Sequence, residues 1–328
     1  MIRVCVTGAG GFIGHHLCRY LRERGCWVRG VDIAQHWGGR QDCDEFLQYD
    51  LREYDNALTA TRHVDRVFAL AANMGGIGFI SGRHAEIVVD NTAITHNTML
   101  TAQRNGVARL LFASSACIYP TNRQDDLLAD PLKESDAYPA LPEGGYGWEK
   151  LHAEHLAKYY NEAGWLVTRI ARFHNVYGPE GCWNPWVDSR TKAPAAICAK
   201  VARAKLLGEQ VIDIWGDGQQ RRSFMYIDDC LEGLWRIMES DYHEPLNLGT
   251  DRDVSIAELV SIIAEIADYP VEIAPDMSRP QGVRARNSDN SLCREVLGWE
   301  PSISVEKGLM YTYPWIEQRI AECVGNLC

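Results

Sequence analysis

The sequence predicts an α/β fold, a doubly wound parallel sheet followed by a smaller α/β C-terminal lobe. Three observations predict it. Short apolar runs of β character alternate with helical stretches from Val4 to about residue 178, the pattern of a parallel sheet covered on both faces. The first run passes through a glycine-rich turn straight into an amphipathic helix. Beyond about residue 180 the alternation weakens, and tryptophans, prolines and basic residues appear. We divide the chain accordingly: residues 1–180, receiving part of 210–250, form the first unit, and 181–328 form an interleaved second lobe.

Val4-Cys5-Val6-Thr7 is the first strand, and Gly8-Ala9-Gly10-Gly11-Phe12-Ile13-Gly14 opens the helix Phe12 to Glu23. Strand, glycine turn and helix in this order form a Rossmann-type dinucleotide site. Gly8 and Gly11 let the backbone turn and approach a pyrophosphate. Phe12 and Ile13 begin the helix whose free N–H groups favour an anion, and Gly14 lets that helix pack on the strand. The spacing is G-x-x-G-x-x-G. The second strand, Trp27 to Val31, ends in Asp32, placed to bond ribose hydroxyls and repel a 2′-phosphate. With no arginine immediately after it, Asp32 selects NAD over NADP.

Tyr49-Asp50-Leu51 ends a third strand, with Asp50 and Leu51 near the adenine. Val67 to Ala72 is a fourth, and small residues such as Ala71 let the cofactor lie close. Gly75 and Gly76 sit in a glycine-rich loop over the sugar. A helix from Asp90 to Asn105 leads to the strand Arg109 to Ala113, which delivers Ser114-Ser115-Ala116-Cys117 where open α/β sheets hold ligands. After the Tyr146 helix come the strand Leu166 to Ile170 and Arg172-Phe173-His174-Asn175-Val176-Tyr177-Gly178-Pro179. The second lobe carries the strand Val211 to Trp215 and helices over 228–240 and 255–267.

The chain has 328 residues, 46% of them hydrophobic, and a formal charge of −11. That charge argues against non-specific binding to nucleic acid or acidic membranes. Eleven cysteines are scattered without C-x-x-C or zinc-ligand spacing, which reads as reduced thiols in a cytoplasmic protein. The N-terminus runs directly into a strand, and no apolar stretch is long enough to span a membrane.

Tyr146 and Lys150 stand four residues apart, on one helix face. A free phenol is a poor base at neutral pH, and a neighbouring ammonium favours its ionised form. The pair can take a proton from a sugar hydroxyl while a nicotinamide takes the hydride from the same carbon. His152 and His155 share that helix without a carboxylate or cysteine to complete a metal site, so no metal is predicted.

The glycine turn, Asp32, the Ser115/Tyr146/Lys150 set and R-F-H-N-V-Y-G-P resemble the extended short-chain dehydrogenase/reductase family of nucleotide-sugar enzymes. The likeness covers nearly the whole chain. Longer stretches resemble, within it, the GDP-mannose 3,5-epimerase family: Ala71 to Ile80, Ala113 to Pro120, Lys192 to Ala196, Trp215 to Gly218 and Gly282 to Asn290. The resemblance implies that Tyr146, assisted by Ser115, is base and then acid at a C4 hydroxyl, while Lys150 also bonds the nicotinamide ribose. It implies Cys117 and Lys192 as the acid–base pair that inverts C3 and C5. Alone, Cys117 would read as strand-end packing and Lys192 as a solvated loop lysine. Free thiols and amines titrate near about 8.5 and 10.4, so such a pair needs surroundings that shift it. By the same resemblance Asn175, Lys200, Gln220, Arg222 and Arg286 hold a GDP-sugar, with Gly75 and Gly76 near the hexose.

The stretch Cys182 to Thr191 is longer than the family's loop, and Thr191 stands where an acidic residue usually precedes the lysine. A C5-only epimerase giving GDP-L-gulose fits the same machinery. A GDP-fucose synthase-like 3,5-epimerase/4-reductase shares the cysteine after a serine, although Asp32 and Glu180-Gly181-Cys182 count against it. An NAD-binding scaffold without catalysis is the non-enzyme alternative. The family implies a homodimer through the helices near 91–105 and Tyr146, with His96, Met99 and Leu100 either in that seam or against the chain's own sheet.

Overall fold

The computed structural model describes residues 1–325 except Trp37, Arg40, Gln41, Val187 and Ser189, with the backbone alone at Val324 and Gly325. Val187 and Ser189 of the long loop, and Cys328, therefore lie outside the described residues. The strands are β1 (Arg3–Thr7), β2 (Trp27–Asp32), β3 (Glu45–Gln48), β4 (Arg66–Ala69), β5 (Arg109–Ser115), β6 (Val167–Phe173), β7 (Asn175–Tyr177), β8 (Val211–Trp215), β9 (Arg221–Tyr226), β10 (Leu246–Leu248), β11 (Asp253–Ser255), β12 (Glu272–Asp276) and β13 (Ala285–Arg286). The helices are α1 (Phe12–Glu23), α2 (Tyr54–Ala60), α3 (Ile77–Ile80), α4 (His84–Arg104), α5 (Gly144–Glu162), α6 (Ala193–Leu207), α7 (Ile227–Glu239), α8 (Ile256–Ile266), α9 (Ser291–Leu297) and α10 (Val305–Gly325).

A seven-stranded sheet runs β10-β6-β5-β4-β1-β2-β3, with every pairing parallel. Parallel strands must be crossed by helices, and both faces are covered. Leu17 and Leu21 of α1 join Leu234 and Met238 of α7 on one face. Ala57 of α2, Met99 of α4 and Ala153 of α5 pack on the other. Chain order reverses between β1 and β4, and this reversal opens the crevice at the strands' C-terminal ends. Thr7 closes its floor, its Oγ1 accepting from the N–H of Leu70 and of Ala71 at 3.1 Å each.

β9 organises the second lobe, pairing parallel with β7 and β13 and antiparallel with β11. β8 and β12 form a separate parallel pair. Helix ends follow local chemistry. Ser255 caps α8 in a capping box with Glu258, while α6 starts with Pro194 in its first turn and ends at the left-handed Gly208.

Several expected elements shift. β3 ends at Gln48, so Tyr49, Asp50 and Leu51 follow the strand, and α4 begins six residues before Asp90. Lys192 is the N-cap of α6, a helix that the proline in Lys192-Ala193-Pro194 concealed although proline suits a first turn. α10, another long helix, went unread. Met99 is fully buried against the chain's own sheet, whereas His96 is exposed.

Candidate active site

The glycine turn and Asp32 make one contiguous cradle. Gly8 has φ +73° and its missing Cβ would meet Ala71 N at 3.0 Å, so β1 and β4 approach through it. A Cβ on Gly14 would sit 2.0 Å from the Gly8 carbonyl oxygen, which holds α1 hard against the turn. Gly10, which the spacing argument passed over, is as constrained: a Cβ there would lie 2.1 Å from the Ala34 carbonyl oxygen. Asp32 accepts from Gly10 N at 3.0 Å and from Ala34 N at 3.2 Å. Burial pushes its carboxyl above the ordinary carboxylate range, against the pull of those N–H groups. A glycine cradle at a helix N-terminus with a carboxylate beside it fits the pyrophosphate and adenosine ribose of NAD. Gly11, Phe12 and Ile13 begin α1 within that cradle. Asp50 is held differently, clasped by Arg52 at 2.7–3.0 Å, and Leu51 beside it is buried.

At the end of β5 the chain turns through a short 3-10 segment, Ala116–Ile118, whose N-cap is Ser115. Ser115 Oγ accepts from Cys117 N at 3.2 Å and faces the Tyr146 phenol. α5 is locked against this segment, since a Cβ on Gly147 would lie 2.3 Å from the Cys117 carbonyl oxygen. Ser115, Cys117 and Tyr146 thus come together. Lys192, half-buried at the start of α6, joins them close enough to feel the thiols of Cys117, Cys182 and Cys230. Burial holds Lys192 below the usual lysine range, the direction a proton donor near neutral pH needs.

Tyr146 departs from expectation. Burial, then the neighbouring Cys117 and Glu149, pushes its phenol far above the usual range, and only Ser115 pulls it down. Lys150 does share its helix face, but its Nζ lies 5.7 Å from the Tyr146 ring centre, 4.8 Å over Phe112 and 3.9 Å from Glu149 Oε1. Glu149, the residue before it, brings a carboxyl oxygen near that ammonium but beyond hydrogen-bond distance.

The residues expected to hold the sugar nucleotide are divided. A Cβ on Gly75 would meet Phe79 at 2.8 Å and Arg190 at 3.0 Å, so the long loop lies against this turn, and Gly76 caps α3. Arg286 reaches the cluster at the end of β5, its Nη1 donating to Cys117 Sγ at 3.3 Å. Arg222 faces Arg286 and Glu143, and burial lowers its guanidinium to about 10. Asn175 and Gln220 bond backbone carbonyls of Ser223 and Trp215. Lys200 is turned to β8, where Asp213 binds it at 2.7 Å. Glu143 and Gln124, both bonded to Arg286, carried no sequence signal, because neither belongs to a recognisable spacing.

His15, His16 and Glu180 bring their ligand atoms within 4.8 Å of one another. Arg19 Nη2 donates to the same Glu180 oxygen at 2.7 Å, and His15 and His16 bond the Gly11 and Pro179 carbonyls. The group is a hydrogen-bonded clasp between α1 and the end of β7. His155 bonds the Tyr138 hydroxyl, and His152 is exposed. Among the described residues no helix is long and apolar enough to cross a membrane.

The family model of the NAD dependent epimerase/dehydratase family matches residues 4–249. GDP-mannose 3,5-epimerase 1 of Oryza sativa subsp. indica is 45% identical over 323 residues, covering 97% of this chain and 82% of its own. GDP-mannose 3,5-epimerase of Arabidopsis thaliana is 44% identical over 97% of this chain and 83% of its own. Among solved structures, UDP-glucose 4-epimerase of Thermotoga maritima, bound to UDP-glucose, superposes with a TM-score of 0.86 at 25% identity, covering 97% of this chain and 100% of that one. With the doubly wound sheet and the glycine cradle, these likenesses place the chain in the NAD dependent epimerase/dehydratase family, as an NAD-dependent nucleotide-sugar epimerase.

Proposed function

We propose that the protein converts GDP-D-mannose to GDP-L-galactose, with GDP-L-gulose as the C5-inverted product. The observation that carries this reading is the meeting of Cys117, Tyr146 and Lys192 at the end of β5, in a chain 44–45% identical to GDP-mannose 3,5-epimerases. NAD, held by Gly8, Gly11, Gly14 and Asp32, supplies when bound the reversible oxidation of C4 to a ketone, which acidifies the hydrogens on C3 and C5. Tyr146, assisted by Ser115 beside it, exchanges the C4 hydroxyl proton. Cys117 and Lys192 remove a proton from one face of each neighbouring carbon and return one to the other, and groups so placed contribute about 10²–10⁴-fold each. Lys150 orients the nicotinamide ribose. Arg222 and Arg286 supply positive charge to the bound GDP-sugar, with Asn175, Lys200 and Gln220 completing its contacts. Residues 1–180 with part of 210–250 hold the cofactor, and 181–328 the sugar nucleotide. The free thiols among the described cysteines fit a reducing cytoplasm. We extend the proposal to a homodimer built on α4 and α5.

Proton NMR of GDP-mannose with the enzyme in D2O, without added NAD, tests the reaction. Loss of the H3 and H5 signals with new galactose- and gulose-type sugars is the expected result. Exchange at H5 alone would replace the proposal with a C5-only epimerase. No exchange, even with NAD supplied, would remove GDP-mannose as the substrate.

A further inference from the structure

Glu143 is the residue immediately before α5. Its N–H donates to the Cys117 carbonyl at 2.9 Å, and its own carbonyl accepts from Gly147 N at 3.2 Å, so the start of α5 is tied to the turn bearing Cys117. The side chain folds back over the same turn. Its Oε2 accepts from Arg286 Nη2 at 2.7 Å. Arg286 Nη1 donates to Cys117 Sγ, while its Nε is anchored on Gln124 Oε1 at 2.6 Å. Through Arg286 and the backbone bond, Glu143 and Cys117 are joined in a closed ring of hydrogen bonds.

The charges in this ring oppose one another. Burial would push the Glu143 carboxyl up, but Arg286 and Arg222 outweigh it and hold Glu143 below the ordinary carboxylate range. It is an anion at neutral pH, and one guanidinium separates it from the sulfur. The remaining charged or titratable groups facing Cys117 are Arg286, Arg222, Lys192 and Tyr146. Three of those four are bases that carry positive charge when protonated, and the phenol is neutral. Glu143 is the one anion in the set.

We propose that Glu143 is the positioning residue of Cys117: it holds Arg286 against the sulfur and sets one negative charge among the guanidinium and ammonium groups that surround the thiol. The proposal deepens the reading of Cys117 as an acid–base group and rests on it. Without the carboxylate, the sulfur would face guanidinium and ammonium groups alone, which favour the reactive thiolate.

The test is alkylation of ligand-free enzyme by iodoacetamide at pH 7, followed by peptide mass spectrometry, with exposed Cys323 as internal control. In Glu143→Gln the modification of Cys117 should speed up by about tenfold, the effect of one nearby charge on an ionisation. Cys323 should not change, and Glu143→Asp, which keeps the anion, should stay near the parent rate. Equal Cys117 rates in parent and Glu143→Gln overturn the proposal, as does a Glu143→Asp variant as fast as Glu143→Gln. The assay needs no sugar nucleotide. Failure of parent enzyme to exchange hydrogens of GDP-mannose would fall on the functional reading, whatever the alkylation shows.

Discussion

At the scale of single residues, the site is built from side chains that answer to close neighbours rather than to their own chemistry. Lys150 lies beside the Glu149 carboxyl, Tyr146 stays a buried phenol facing Ser115, and Lys192 is pushed down by burial alone. Gly10 shows the same dependence on backbone. Its N–H bonds Asp32 and its α-carbon abuts Ala34, so a methyl group there has nowhere to go. We expect Gly10→Ala to displace the β2 end from the turn, at about 1–3 kcal/mol of stability. The purified variant should retain less NAD than the parent, measured as nucleotide released on denaturation per protein chain. Parent-like NAD content would show that this contact does not shape the cofactor cradle. Gly10 was missed because a glycine at that place looks like any other in a glycine-rich turn, and only the position of Ala34 shows why it must be one.

At the scale of elements, the strand–turn–helix units set where the chemistry stands, since the ends of β1, β4 and β5 all open on one side of the sheet. α4 and α5 cover one face with Met99 and Ala153 inward, and they leave Val89, Trp148 and Tyr159 outward at 68%, 51% and 59% exposure. Large apolar side chains exposed this far on adjacent helices are surface that a second copy would bury. The double variant Val89→Glu, Trp148→Glu should therefore convert the proposed dimer to monomer. Light scattering behind gel filtration would read the mass directly. An unchanged mass in the variant, or a monomeric parent, would remove these helices as the seam. The helices themselves were mostly legible from spacing and caps. α6 was hidden by its early proline, and α10 carries Pro314 within an otherwise helical stretch.

At the scale of the whole molecule, buried imidazoles link stability to pH. Burial lowers His16 to about 4, with His15 and Arg19 adding to the effect, and lowers His174 to about 3. Both values lie below the ordinary 6.5 of an unfolded histidine. The unfolded chain therefore binds protons first as pH falls. Their contribution is fully present above about pH 6.5 and is lost progressively as pH drops through 4 towards 3. Glu180 follows a lower window: Arg19 and His15 overcome burial and hold it at about 2, so its share fades between the ordinary 4.5 and that value. Thermal melting followed from pH 7.5 to 4 should show the midpoint falling once pH passes below about 6.5. A midpoint that stays level down to pH 4.5 would mean that these histidines titrate normally in the folded protein.

The sequence by itself determined the fold class, the cofactor cradle and the residues at the end of β5. Each rests on a local rule: period-2 and helical patterning, a glycine turn between strand and helix, an acidic residue at the next strand's end, or side chains one helical turn apart. Resemblance in longer stretches then pointed to Cys117, Lys192 and Arg286. What those side chains do to one another was decided only in three dimensions. Arg286 and Cys117 stand 169 positions apart, and Glu143 and Arg286 stand 143 apart. No local pattern records that a carboxylate at the start of one helix meets a guanidinium from the far lobe. Hydrogen bonds and burial act through space, and the folded chain alone brings those groups within their range.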